Sequence, residues 1–84
     1  MRGPVSVGQL IEAVGRLDQH GEGTTLRAVA WELEVDERRV GDAWVRARFE
    51  GLIRCDRRRD SEEKRCRLTP GGWAALAETR QAAR

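Results

Sequence analysis

Arginines concentrated in one part of the chain are the residues best able to do chemistry. Residues 38–67 hold ten arginines and one lysine against six acids, whereas residues 1–37 hold three arginines against seven acids. The guanidinium group presents a planar fork of donors that binds phosphate, or the edge of guanine, through paired hydrogen bonds. A high-GC coding bias would also favour arginine over lysine. The distribution of charge, rather than the arginine content or the net charge of +2, therefore indicates a basic surface.

Apolar periodicity predicts the elements that position these side chains, and the fold class is mainly α with a small β-hairpin. Ser6 followed by Gln9 is typical of a capping box, and Thr69-Pro70 is typical of a helix start. Asp36 is a suitable N-cap for the third helix. The predicted elements are a helix at 7–19, a second helix capped by Thr24 or Thr25, a helix at 36–50, strands at 52–59 and 62–68, and a last helix from 70 whose end, 79–84, is expected to fray.

The hairpin register follows from a two-residue turn at Asp60-Ser61. That turn places Cys55 opposite Cys66 on the inner face of the hairpin. It also pairs Arg59 with Glu62 and Arg58 with Glu63 across the strands, where opposite charges stabilise each other. The tip beyond Cys55 is almost wholly charged, so we expect it to project into solvent.

Two segments carry a resemblance to a known family: Glu50-Gly51-Leu52-Ile53-Arg54 before the hairpin, and Arg67-Leu68-Thr69-Pro70-Gly71-Gly72 after it. With the helices at 26–33 and 40–44, they make the chain similar to the MarR-like and related winged helix-turn-helix families. The resemblance implies one winged helix domain over 1–84 with a core at 6–80, a recognition helix at 36–50 and a wing at 53–68. Glu34 departs from the pattern, since these families often have glycine at that turn position.

The third predicted helix has two faces. Its inner stripe is Val40, Ala43, Trp44 and Ala47, and its outer face carries Arg38, Arg39, Asp42, Val45, Arg46 and Phe49. If this helix enters a major groove, the residues able to reach base edges or phosphates are Arg38, Arg39, Asp42 and Arg46. The alternative is a solvated face on which Arg38, Asp42 and Arg46 form ion pairs along the helix.

The wing supplies a second set of candidate contacts to phosphate or to a minor groove. Its basic residues are Arg54, Arg57, Arg58, Arg59, Lys64, Arg65 and Arg67, and the selected contacts are Arg57, Arg58, Arg59, Lys64 and Arg65. The alternative is a charged edge hairpin that protects the sheet against aggregation. Acidic residues among the basic ones weaken the positive field of the wing, so both interpretations stay open.

The cysteines and tryptophans have simpler interpretations. We interpret Cys55 and Cys66 as reduced apolar residues beneath the wing, as in most cytosolic proteins. A cross-strand disulfide that acts as a redox switch is the main alternative. Zinc is disfavoured because His20 is the only histidine in the chain. The three tryptophans, Trp31, Trp44 and Trp73, are expected mainly in the core, and Trp73, Leu76 and Ala77 on one face of the last helix.

Composition excludes several functions. No apolar run approaches the length of a membrane span, and no secretory signal is visible, which predicts a cytoplasmic protein. Nucleoid association is expected only from the DNA binding that the family resemblance implies. No catalytic motif is recognisable, so neither enzymatic activity nor a cofactor or metal is expected. The resemblance implies double-stranded DNA as the partner and a homodimer formed through the first and last helices. An assembly module that binds acidic proteins is the alternative function, because a fold does not define a function.

Overall fold

The computed structural model describes residues 5–18, 23–57 and 64–82. Within these ranges the chain forms four helices and one antiparallel sheet of two strands. In chain order the elements are α1 Val7–Leu17, α2 Leu26–Leu33, α3 Glu37–Phe49, β1 Ile53–Arg57, β2 Lys64–Leu68 and α4 Pro70–Ala82. This order confirms the mainly helical fold with a small hairpin. α4 ends at Ala82, so the helix includes residues 79–82 of the segment 79–84 that was expected to fray.

Side-chain caps fix where α1 and α2 begin. The Ser6 hydroxyl accepts a hydrogen bond from the Gln9 amide at 3.1 Å, and the Gln9 side chain accepts one from the Ser6 amide at 3.0 Å. This confirms the predicted capping box. At α2, the hydroxyl of Thr25 accepts from the amide of Ala28 at 3.1 Å. Asp36 occupies the N-cap position of α3, but its side chain makes no capping hydrogen bond.

The core lies where α1 packs against the other three helices and β2. Its members are the apolar stripes that the 3.6-residue period predicted, joined by the inner face of the hairpin. The buried apolar residues are Leu10, Ile11, Ala13, Val14, Val29, Ala30, Val40, Ala43, Trp44, Ala47, Ile53, Cys66, Leu68 and Leu76. The predicted face of α4 was partly wrong, because Ala77 is exposed and Trp73 keeps 45% of its surface accessible.

The hairpin extends into a third strand by a single residue. Thr24, just before α2, forms an antiparallel bridge with Cys66 through two backbone hydrogen bonds of 2.8 Å. Thr24 is buried although it is polar. The bridge fastens the start of α2 to the wing. The sequence pattern did not predict it, because one residue has no periodicity.

Cys55 and Cys66 form a disulfide bond, which contradicts our interpretation of two reduced thiols. The predicted register is confirmed, because these residues are direct partners in the ladder. Since both backbone polar groups of Cys66 bond to Thr24 on its other side, Cys55 and Cys66 form a non-hydrogen-bonded pair, the type in which opposing Cα atoms are closest. Their Cα atoms are 4.0 Å apart. The expectation of reduced thiols rested on the cytosolic compartment, and the cross-strand disulfide was its main alternative.

The end of α3 and the start of α4 are joined at one point, here called the latch and comprising Gly51, Leu52, Thr69 and Gly72. The Leu52 carbonyl accepts from the Thr69 amide at 3.0 Å, and the Thr69 hydroxyl donates to the Gly51 carbonyl. The same hydroxyl accepts from the Gly72 amide at 3.0 Å and so caps α4. At Gly72 a Cβ atom would collide with the carbonyl oxygen of Leu52. The two segments that carry the family resemblance are therefore in direct contact.

We expect Gly72→Ala to lower the free energy of unfolding by about 3 kcal/mol, because backbone atoms of the latch must move to admit the methyl group. Gly71→Ala is the matched control, since a Cβ there would lie at least 3.6 Å from its neighbours. Urea denaturation of both variants measures the difference. Equal stabilities would show that the latch tolerates a side chain.

A second prediction concerns the disulfide. Closing a loop of this length stabilises a fold by about 3 kcal/mol in the chain-entropy model, so Cys55→Ser should lower the melting temperature of the oxidised protein. Cys55 is the better site because Cys66 is fully buried. Calorimetry with and without reductant provides the control: reductant should lower the melting temperature of the wild type and leave the variant unchanged. A wild type insensitive to reductant would contradict the prediction.

Candidate nucleic-acid interface

The helix-turn-helix unit is built by close packing of α2 on α3. Ala30 and Ala43 are both buried, as expected for small residues that let two helices approach. The turn is a Schellman motif: the Val35 amide donates to the Ala30 carbonyl at 3.1 Å, and the Glu34 amide donates to the Trp31 carbonyl at 3.2 Å. Glu34 takes the left-handed conformation, with φ of 56°. This is the position where the resembling families often have glycine.

The two faces of α3 are as predicted. Its inner stripe of Val40, Ala43, Trp44 and Ala47 is buried. The outer face is exposed along the whole helix, and it carries Arg38, Arg39, Asp42, Val45, Arg46 and Phe49. The four predicted contact residues therefore share one accessible surface, here called the α3 face.

The alternative interpretation of the α3 face required ion pairs along the helix. Among the described residues, neither Arg38 nor Arg46 lies within 4.0 Å of a carboxylate of Asp42. The ion pair nearest this face joins Arg27 on α2 to Glu37, at 3.5 Å across the turn. The spacing of Arg38, Asp42 and Arg46 is therefore not explained by ion pairs among these three residues.

Arg16 shows what an arginine in a structural role looks like in this fold. Its guanidinium donates to Glu32 on α2 at 2.8 Å and to Glu12 on its own helix at 3.1 Å. The hydrogen bond and charge of Glu32 raise the pKa of Arg16 above its ordinary value. Because two carboxylates hold this side chain between α1 and α2, we exclude it from the candidate interface.

The wing places its charges on two faces. Arg54, Asp56, Arg65 and Arg67 alternate with the inward residues, so they share the outer face. Lys64 is exposed at the start of β2, and Arg65 is half-buried. Arg57 pairs with Lys64 at the end of the ladder. Arg58, Arg59, the predicted turn at 60–61 and the predicted pairs with Glu62 and Glu63 lie outside the described residues.

Arg54 and Arg67, the other two arginines of the predicted wing, were not selected as candidate contacts. They lie directly opposite each other in the ladder, and both are exposed. Like charges in that position destabilise a hairpin, and the Asp56 carboxylate, 3.6 Å from Arg54, compensates for only one of them. The predicted register already implied this pairing, so the signal was available in the sequence.

An open groove of about 780 Å³ lies beside the turn, lined in part by Arg27, Trp31, Glu34 and Arg39. Trp31 is 86% exposed, so its assignment to the core was wrong. At about 100° per residue, Trp31 lies well over 90° from the centre of the α2 stripe. Trp44, in contrast, is confirmed as a core residue.

Other kinds of site find no support in the part of the chain that the structure describes. There, no group of three or more His, Cys, Asp or Glu side chains is arranged to hold a metal ion. Cys55 and Cys66 are bonded to each other as a disulfide, so neither supplies a thiolate ligand. None of the helices in the described ranges is long and apolar enough to cross a membrane.

Solved structures confirm the winged helix fold. A crystal structure of the transcriptional regulator SlyA matches with a TM-score of 0.80 and 17% identity, over 92% of this chain and 52% of that one. FabT of Streptococcus pneumoniae in complex with DNA matches with a TM-score of 0.77 and 18% identity, over 92% and 52%. A mutant MepR of S. aureus bound to an oligodeoxyribonucleotide gives 0.76 and 18%, over 92% and 60%.

The chain thus spans about half the length of these regulators. At such low identity the likeness concerns the fold, and it matches the architecture that the resemblance to MarR-like families implied. No protein-family profile and no curated protein sequence matches the chain.

The strained turn before α3 yields a prediction. A non-glycine residue in the left-handed region costs about 1 kcal/mol, so Glu34→Gly should have a free energy of unfolding about 1 kcal/mol above that of Glu34→Ala. The alanine variant is the control, because both substitutions remove the same carboxylate and only glycine relieves the backbone. Thermal denaturation of the two proteins measures the difference, and equal melting temperatures would exclude backbone strain at this turn.

Proposed function

We propose that this chain is a sequence-specific, double-stranded DNA-binding protein that acts as a small, non-enzymatic transcriptional regulator. The observation that supports this most strongly is the α3 face, which lies on the second helix of a helix-turn-helix. On this face Arg38 and Arg46 are exposed and form no ion pair with Asp42. The likeness of the fold to FabT and MepR, both solved with bound nucleic acid, adds support. In this proposal 1–84 is one domain, from a prokaryote, virus or plasmid, located with the nucleoid in the cytoplasm.

In the proposed complex, α3 lies in the major groove with its exposed face toward the bases. Arg38 and Arg39 are placed to bind guanine O6 and N7 or the flanking phosphates, and Asp42 to accept from cytosine N4. Arg46, two turns further along from Arg38, reaches the phosphates that border the groove. These contacts combine a sequence-independent charge attraction with a readout of base edges.

The wing supplies further cations along the same duplex. We assign phosphate or minor-groove contact to Arg57, Arg58, Arg59, Lys64 and Arg65, and add Arg54 and Arg67, whose unfavourable pairing in the isolated protein a phosphate would relieve. A polyanion between Arg54 and Arg67 lowers the repulsion that the ladder imposes on them. Phosphate binding would therefore explain a like-charge pair that does not stabilise the hairpin.

A homodimer formed through α1 and α4 completes the proposal. Helix-turn-helix proteins usually read two half-sites related by a twofold axis. One copy presents a modest basic surface, and two copies double it. Trp73 on α4 keeps 45% of its surface accessible and would lie near such an interface.

The test is fluorescence anisotropy with a labelled duplex of about three helical turns, at low and near-physiological salt. We expect salt-dependent binding by the wild type, and a large loss of affinity for Arg38→Ala/Arg46→Ala. If both arginines contact phosphates, the slope of log affinity against log salt should become shallower by about two. If they contact bases, each should contribute about 1–3 kcal/mol to one position of a specific site.

The control variant is Arg80→Glu, which lowers the net charge by the same amount at an exposed position outside the α3 face. Because Arg80 lies on α4, sedimentation must first verify that this variant self-associates like the wild type. Arg80→Glu should retain most of the affinity. Equal losses of DNA affinity in both variants would show that only the net charge of the protein matters. Unchanged binding by the double variant would show that α3 is not the recognition helix, and absence of binding by the wild type at low salt would refute the function.

A further inference from the structure

The α3 face includes two large apolar side chains that do not serve the fold. Val45 is 66% exposed and Phe49 is 92% exposed. Burial of a large apolar side chain is what makes it stabilising, so these two residues contribute little to the core. Val45, Phe49 and Arg48 border a small open depression of about 270 Å³ on the surface of α3.

The two apolar residues lie on the same side of α3 as the candidate contact residues. At about 100° per residue, Val45 and Phe49 are each within roughly 20° of the direction of Arg38. Asp42 lies between Arg38 and Val45 along the helix and on the same face. A surface that approaches Arg38 and Asp42 therefore meets Val45 and Phe49 as well.

The composition of this face limits what can cover it. The exposed cations Arg46 and Arg48 flank the two apolar side chains, so the partner must offer apolar groups between negative charges. The major groove of DNA offers that combination, because each thymine projects a 5-methyl group between the phosphate backbones. Cytosine, adenine and guanine present no such methyl group in the groove.

We infer that Val45 and Phe49 contact thymine methyl groups and make the protein select thymine at two positions of its site. This inference rests on the proposed DNA-binding function and extends it to a base preference. The two side chains are four residues apart, or about 6 Å along the helix axis, which is close to two base-pair steps of about 3.4 Å. The two selected thymines should accordingly lie about two base pairs apart.

The experiment removes only the methyl groups. Duplexes are first selected from a random pool with the wild-type protein, and the preferred duplex is then synthesised with deoxyuridine replacing one thymine at a time. Uracil keeps the Watson–Crick edge of thymine and lacks the 5-methyl group. We expect two positions at which this replacement weakens wild-type binding about fourfold, the effect of burying about one methyl group.

The variants assign each position to a side chain. Val45→Ala should lose the methyl effect at one position and Phe49→Ala at the other, with the rest of the site unaffected. Both residues are exposed, so the variants should fold, and their circular dichroism and melting temperatures verify this. Trp31→Ala is the matched control, because it removes an equally exposed aromatic side chain from outside the α3 face and should leave both methyl effects intact.

The outcomes separate this inference from the function on which it rests. A selected duplex whose affinity is unaffected by deoxyuridine at every thymine would overturn the inference and leave DNA binding in place. Methyl effects that persist in both alanine variants would also overturn the inference. The same holds if Phe49→Ala changes only the self-association of the chain and leaves both methyl effects intact. Failure of the wild type to select or bind any duplex at low salt would refute both the function and the inference.

Discussion

The carbonyl group of Leu52 is the point on which the arrangement of α3 and the wing depends. It accepts a hydrogen bond from the Thr69 amide, and it occupies the space that a side chain at residue 72 would need. The hydroxyl of Thr69 links the Gly51 carbonyl to the amide of Gly72. One short contact therefore joins the end of α3, both ends of the wing and the start of α4. The angle at which the wing leaves α3 follows from this contact.

The other side of the wing is fastened at Cys66. Its backbone bonds to Thr24, and its side chain is bonded to Cys55. Because Thr25 caps α2 immediately after Thr24, this residue pair ties the first helix of the helix-turn-helix to the wing. The two attachments lie at opposite ends of the helix-turn-helix, one before α2 and one after α3. They compensate for the small core of an 84-residue chain by fixing the elements locally.

Much of this architecture could be predicted from the sequence, because the signals were periodic or repeated. The stripe that contains Val40 and Trp44 specified both faces of α3, and the turn length specified that Cys55 opposes Cys66. What could not be predicted depends on single contacts. The Thr24 bridge has no pattern, and the disulfide follows from which side of Cys66 carries the backbone hydrogen bonds. Trp31 was misassigned because aromatic character was given more weight than its angle on α2. The wing tip, with Arg58 and Arg59, remains a prediction.

A residue's contribution to stability and its availability for binding are inversely related in this domain. Two carboxylates compensate the charge of Arg16, and Trp44 is packed in the core, so neither side chain is available to bind a ligand. Arg38 and Phe49 lie on the exposed side of α3, whereas the opposite side of the helix is buried in the core. Folding alone would be satisfied by small polar residues at these positions. An arginine and a phenylalanine in line on one helix face fit a partner that is both anionic and locally apolar. The proposed function supplies one, because the major groove of DNA has thymine methyl groups on its floor and phosphates along its borders.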